Sequence, residues 1–156
     1  MPMPKVPLTH RNLPLVLLQV RELVMARFRP MLNEAGVTEQ QWRVLRALLS
    51  EGPLEPRQLV EVCCLSSPSL VGILARMEDL GLVKRKPFAS DQRRVLVSAS
   101  PKGKRLAARF APQIEAIYAQ LESDMGVEIA SGLYETLDAV SSSLTSKLRP
   151  GSSTPF

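Results

Sequence analysis

Eight cations, Lys84, Arg85, Lys86, Arg93, Arg94, Lys102, Lys104 and Arg105, fall in one segment against a single acid, Asp91. The formal total is +5, so this segment carries +7 and the remainder of the chain is net −2. A localised surplus on an otherwise balanced chain is an electrostatic footprint for polyanions, although the same charges can serve simply as solvated surface. Little else suggests reaction chemistry. His10 is the sole histidine and the carboxylates are scattered, so no metal-ligand cluster forms, and the eight glycines make no phosphate-cradling loop. No enzyme activity, cofactor or metal is expected. Cys63 and Cys64 are neighbours, and adjacent residues rarely meet disulfide geometry, which suits a reducing cytoplasm. They read as buried filler; a redox-sensing thiol would need a cation or a helix N-terminus beside it, and none is visible locally.

The elements that must position these charges follow from periodicity and punctuation. With 156 residues, 45% hydrophobic and 22% charged, the chain has ordinary globular usage and length for roughly one packed domain. The longest apolar-leaning run, Leu13 to Val20, contains Pro14 and Gln19 and falls short of the roughly 18 apolar residues a membrane span needs. It leads into Arg21-Glu22 rather than a small-residue cleavage site, so it reads as the start of a helix, with a cytoplasmic location and no membrane partner expected.

Apolar positions Leu13, Leu17, Val20, Val24 and Phe28 predict a helix over 13–35 that stops at Gly36. Pro30 has no N–H for the Ala26 carbonyl, so this helix should kink there, unless it restarts with Pro30 in its first turn. Thr38 to Gln41 matches a capping box, with Val37 and Trp42 placed as a staple, and a second helix follows over about 39–50. Pro56 opens a short third helix that ends near Cys64. Ser66-Ser67-Pro68 caps a fourth, whose stripe is Leu70, Ile73, Leu74, Met77 and Leu80, closed by Gly81.

Leu82 to Lys86 and Val95 to Val97 read as a β-hairpin with a basic tip. A fifth helix starts at Ser100-Pro101, carries Leu106, Phe110, Ile114, Ile117 and Leu121 on one side, and should kink or split at Pro112. A sixth carries the seam Ile129, Leu133, Leu137, Val140, Leu144 and Leu148. The expected architecture is mainly α with a small β-hairpin wing. A winged helix-turn-helix at 37–100 sits on a helical dimerisation region at 13–36 and 101–148, with an N-terminal arm at 1–12 and a flexible tail at 149–156. The seam and the first helix have more apolar face than a satellite layer uses, which points to an obligate homodimer; a monomer with an extra helical layer is the alternative.

From Thr38 to about Arg105 the chain resembles the MarR type of bacterial winged-helix regulators. The likeness rests on Ser66-Ser67-Pro68-Ser69, the stretch Arg76 to Val83, Asp91-Gln92-Arg93-Arg94 and Pro101-Lys102-Gly103. Leu17 to Glu22, Phe28-Arg29-Pro30 and Thr38 to Arg43 further resemble the subgroup that regulates homoprotocatechuate (4-hydroxyphenylacetate) breakdown. The resemblance implies a two-fold homodimer on a pseudo-palindromic double-stranded DNA operator, repression of an aromatic-acid operon, and release by a small aromatic carboxylate. A regulator without a small-molecule effector, controlled by a protein partner or by thiol oxidation, is the second reading.

Within that frame the fourth helix enters the major groove. Ser66 caps it, and Ser67, Ser69, Val71, Gly72, Ala75 and Arg76 project away from its apolar stripe. Arg76 can bond guanine or hold a phosphate. Gly72 stands where many relatives carry a basic or polar side chain, which removes a donor there. At the wing, Arg93 is the candidate for a narrow minor groove, with Asp91 holding its guanidinium and Arg94, Lys84, Lys86 and Lys104 available to phosphates. An aromatic acid needs apolar walls and a cation; Leu17, Met25, Trp42 and either Arg21 or Arg46 can supply them, with His10 and Asn12 in reach. Each also has a plainer use in the core, the staple, the dimer interface or the solvated surface.

Overall fold

The computed structural model describes residues 1–147. The element order is α1 (Leu13–Ala35), α2 (Glu39–Glu51), α3 (Pro56–Cys63), α4 (Ser67–Asp79), β1 (Val83–Pro87), β2 (Val95–Ala99), α5 (Pro101–Met125) and α6 (Val127–Ser146). The expected tail at 149–156 and Leu148 of the seam lie outside the described residues. The mainly helical fold with a two-stranded antiparallel hairpin is the expected one. No single helix among the described residues is long and apolar enough to cross a membrane.

Local chemistry sets the boundaries. Asn12 Oδ1 accepts from the Leu15 N–H at 3.1 Å to start α1, and Gly36 ends it at φ 71°, a left-handed turn that glycine adopts without a Cβ clash. Thr38 and Gln41 form the reciprocal capping box of α2. After α4, Gly81 at φ 73° lets the N–H groups of Gly81 and Leu82 reach the Glu78 and Met77 carbonyls at 2.8 and 2.9 Å. Neither internal proline splits its helix: α1 runs through Pro30 and α5 through Pro112.

One core joins these elements. Phe28, Met31 and Leu32 of α1 pack with Val44, Leu45 and Leu48 of α2, Leu59 and Cys63 of α3, Leu70, Ile73, Leu74 and Met77 of α4, Val97 of β2, and Phe110 and Ile114 of α5. The second half of α1 is therefore continuous with the core of the winged module. The first half is not: Leu13, Leu17 and Val20 are exposed, as are Ile129, Leu137, Val140 and Leu144 on α6, where Ala130 is the buried residue. Leu80 departs from the expected stripe. It is the C-cap of α4, where the chain turns off the helix, and it stands 41% exposed.

Two contacts fix the hairpin base. The Ser100 hydroxyl accepts from the Gly103 N–H at 3.0 Å and donates to the Gly81 carbonyl at 2.5 Å. The Ser100 N–H donates to the Leu82 carbonyl at 2.9 Å. A Cβ on Gly103 would strike that same Leu82 carbonyl oxygen, so only glycine lets α5 approach this closely. At the other side of the sheet, Leu54 exchanges two backbone hydrogen bonds with Val97, at 2.8 and 3.0 Å, adding a one-residue third strand.

Between α1 and α2, Glu39 accepts from Arg29 at 2.7 Å and from Arg21 at 3.3 Å. The Arg29 hydrogen bond is the main cause that holds its carboxyl below the usual carboxylate range, opposed by partial burial and aided by Arg21. Asp124 is likewise lowered, by Gln120 first and then Arg27.

Two outcomes follow. Gly103→Ala should destabilise the chain by about 3 kcal/mol, since the added methyl meets backbone that cannot swing aside; urea unfolding checks it, and a loss below about 0.5 kcal/mol would deny the close approach. Carboxyls depressed in the folded state stabilise it fully above their ordinary values, 4.5 for Glu39 and 3.8 for Asp124, and that contribution is lost as pH falls through the folded values. The thermal midpoint should therefore fall as pH drops below about 5, and Glu39→Gln should start lower at neutral pH and fall less steeply.

Candidate nucleic-acid interface and ligand site

The N-terminus of α4 is built to be presented. Ser66 Oγ accepts from the Ser69 N–H at 3.2 Å and donates to Ser69 Oγ at 2.8 Å, so its hydroxyl is engaged in the cap and half-buried. Ser66, a DNA-binding candidate by its place in the sequence, thus shapes the helix start as its expected cap, and Ser69 lies beyond it. Leu70, Ile73, Leu74 and Met77 face the core, which leaves Ser67, Ser69, Val71, Gly72, Ala75 and Arg76 exposed together on the opposite side. Val71 is 68% exposed. A Cβ on Gly72 would meet nothing within 4 Å, so the chain's own packing does not demand glycine there. Arg76 has no acid partner among the described residues.

In the hairpin, Lys84 pairs with Ser98 and Lys86 with Leu96, which sets both lysines on one face of the sheet, while Arg85 opposite Val97 takes the other. Both lysines are exposed, as is Lys104 in the first turn of α5. Arg85 turns to Glu78 of α4, and Lys102 donates to the Leu80 carbonyl at 2.8 Å.

Two details of the tip correct the expectations. Asp91 does not hold the Arg93 guanidinium: its Oδ1 accepts from the Arg93 backbone N–H at 3.0 Å, a local turn bond that orders the loop and leaves the guanidinium without an acid partner. Arg94, expected to be available to phosphates, is engaged within the chain. Its guanidinium makes two bonds to Glu55, at 2.8 and 3.0 Å, and lies 4.3 Å from the centre of the Phe88 ring. The Arg94 hydrogen bond is what chiefly holds the Glu55 carboxyl below the usual range. Arg94 thus ties the tip to the start of α3, a bidentate geometry that fixes orientation as well as charge. Glu55 had no signal in the sequence, because its partner lies 39 positions away.

The seven candidates for an aromatic acid separate within one chain. His10 and Leu17 are exposed, and Asn12 is engaged as the α1 cap. Arg21 bonds Glu22 at 3.1 Å as well as Glu39, and borders an open groove of about 530 Å³ with Leu18 and Arg43. The other three lie on α1 and α2, near α5. Met25 and Trp42 are half-buried against the core, and the Arg46 guanidinium, one turn from Trp42, lies 5.8 Å from the Tyr118 ring of α5. Phe28, one turn from Met25, meets Tyr118 edge-on, with ring centres 5.1 Å apart. Tyr118 was missed in the sequence; its only signal was a position one turn beyond Ile114 at the edge of the α5 stripe.

Cys63 is buried, and desolvation raises its thiol above the ordinary value, which disfavours the thiolate that oxidation requires. Cys64 is exposed at the left-handed cap of α3.

Residues 35–94 match the profile of the MarR family. The chain is 39% identical over 129 residues to the homoprotocatechuate degradative operon repressor of Escherichia coli, covering 83% of this chain and 87% of that one. It is 39% identical over 119 residues to the transcriptional regulator FarR of Neisseria gonorrhoeae, covering 76% and 82%. Among solved structures, the transcriptional regulator PA4135 superposes with a TM-score of 0.82 at 39% identity, covering 90% of this chain and all of that one. NadR in complex with 4-hydroxyphenylacetate superposes at 0.75 and 35% identity, covering 87% and 96%. A matched segment that runs from the end of α1 to the tip of the wing, with relatives this similar over four-fifths of their length, makes the chain a member of the MarR family of transcriptional regulators.

Proposed function

We propose that the protein is a homodimeric repressor of an operon for aromatic-acid breakdown, and that a small aromatic carboxylate releases it from a pseudo-palindromic operator. One observation carries the DNA half: the capped start of α4 exposes small side chains and Arg76, and among the described residues Arg76, Lys84, Lys86 and Arg93 have no acid partner for their charged side-chain ends. Small residues allow the helix to sit deep in a major groove, Val71 offers methyls to thymine, and Arg76 reaches a guanine edge or a phosphate. Arg93 enters the minor groove beside the reading helix, with Lys84, Lys86 and Lys104 on phosphates. Arg94 acts indirectly, by holding the tip to Glu55.

Support for the effector half comes from the cluster at the α1, α2 and α5 junction and from the similarity to NadR, solved with 4-hydroxyphenylacetate. Trp42, Met25 and Tyr118 provide apolar wall, and Arg46 a bidentate donor for a carboxylate. The partner's copy of α1 brings Asn12, His10 and Leu17 over the opening. Dimerisation covers the apolar faces of α1 and α6 that one chain leaves exposed.

Gel shifts with operator DNA, repeated across a panel of hydroxylated benzoates, phenylacetates and nicotinates, test the whole proposal; no release by any of them would remove the effector. Arg93→Ala should weaken operator binding and lower the slope of log K against log salt by about one per lost contact, about two for the dimer. An unchanged slope would take the wing out of the interface. Arg46→Ala should keep operator affinity within about twofold and raise the effector concentration for half-release at least tenfold, as expected for loss of a charged hydrogen bond; an unshifted release curve would place the carboxylate elsewhere.

A further inference from the structure

The basic surplus between Lys84 and Arg105 does not all serve the wing. From its cap at Ser66, α4 runs about 20 Å to its other end. There a cavity of about 310 Å³ opens between the end of α1, the turn from α4 to β1, and the first half of α5. Lys102, Arg105 and Arg109 border it, spaced by three and four along one stripe of α5. Val37, Leu80, Leu82 and Leu106 make its apolar walls. No acid lines it, and neither arginine has an ion-pair partner among the described residues. Neutral partners hold two of the cations: Lys102 donates to the Leu80 carbonyl, and Arg109 lies 5.3 Å from the Phe110 ring centre. Leu80, displaced from the core stripe and 41% exposed, becomes a wall of this cavity.

We infer that this cavity is a second ligand site, one that takes a small amphipathic monocarboxylate of about the size of benzoate. The carboxylate matches the fork of a guanidinium, and arginine also stacks on aromatic faces. The ring fills walls that a bare anion would leave wet. The site is an open groove whose volume sits at the lower end of the range for small-molecule sites, about 300–1,000 Å³, room enough for a single ring. The site shares no residue with the Trp42, Arg46 and Tyr118 cluster and does not depend on it. Operator phosphates are a poorer match, because a phosphate has no apolar body to set against Val37, Leu80, Leu82 and Leu106.

The test is a titration of the full-length protein, with ¹³C-labelled leucine and valine methyls, using benzoate, acetate and benzyl alcohol. Saturable shifts of the Leu80, Leu82 and Leu106 methyls are expected with benzoate. Binding should be at least tenfold weaker for acetate, which lacks the ring, and for benzyl alcohol, which lacks the charge. The double variant Arg105→Gln, Arg109→Gln should weaken benzoate at these methyls at least tenfold, while the fluorescence of Trp42, the sole tryptophan, responds to benzoate as in the parent. Absent or non-saturating shifts at the three leucines, or equal affinity in the double variant, would overturn the site. So would a lower salt slope of operator binding in that variant, which would assign the arginines to phosphates. A silent Trp42 with intact leucine shifts would instead defeat the effector site at α2 and leave this one standing.

Discussion

Apolar surface that one chain cannot cover governs this molecule. The first half of α1 exposes Leu13, Leu15, Leu17, Leu18, Val20 and Leu23, and α6 exposes Ile129, Leu137, Val140 and Leu144. Each such side chain forgoes about 1.5–3 kcal/mol of burial, and a contiguous set of this extent marks an association surface. In the proposed dimer a second copy would cover both helices at once and close the symmetry. The spacing of two reading helices, and the closing of the region around Tyr118 by a partner's α1, would both depend on that pairing. Phe28, Met31 and Leu32 lie on the same helix as the uncovered leucines yet pack with α2 and α5. In such a dimer a tilt of α1 would reach the elements that carry the wing.

Acids and carbonyls sort the cations by task. Glu78 takes Arg85 and Glu55 takes Arg94, which braces the hairpin against α4 and α3, and the Leu80 carbonyl takes Lys102. Among the described residues Arg76, Lys84, Lys86, Arg93 and Lys104 have no acid partner, and these are the cations proposed to meet operator DNA. The pairs are exposed, so each adds little to stability. Their consequence is geometric: a wing held at two points presents Arg93 with less conformational freedom to lose on binding.

Much of this was legible in the sequence. A capping box, first-turn prolines and terminal glycines gave the bounds of α1 to α4 and the start of α5 to within a residue or two, because those signals are local; the end of α5 and the bounds of α6 had none. The presented face of α4 followed from the same periodicity that buries Leu70, Ile73, Leu74 and Met77. Where spacing was extended past a helix end it failed: Leu80 continues the stripe on paper, but the chain has already begun to turn. Contacts distant in sequence left no trace either. Arg94 was read as available because nothing near it is acidic apart from Asp91, whereas its partner Glu55 arrives through the fold. The Leu54–Val97 bridge and the stacking of Arg46 on Tyr118 were hidden for the same reason.

Sedimentation equilibrium of the full-length protein without DNA or ligand, carried down to micromolar concentration, tests the pairing most directly. A mass of twice the chain across the whole range is expected. A species of single-chain mass that remains folded, with α1 and α6 intact by circular dichroism, would contradict it.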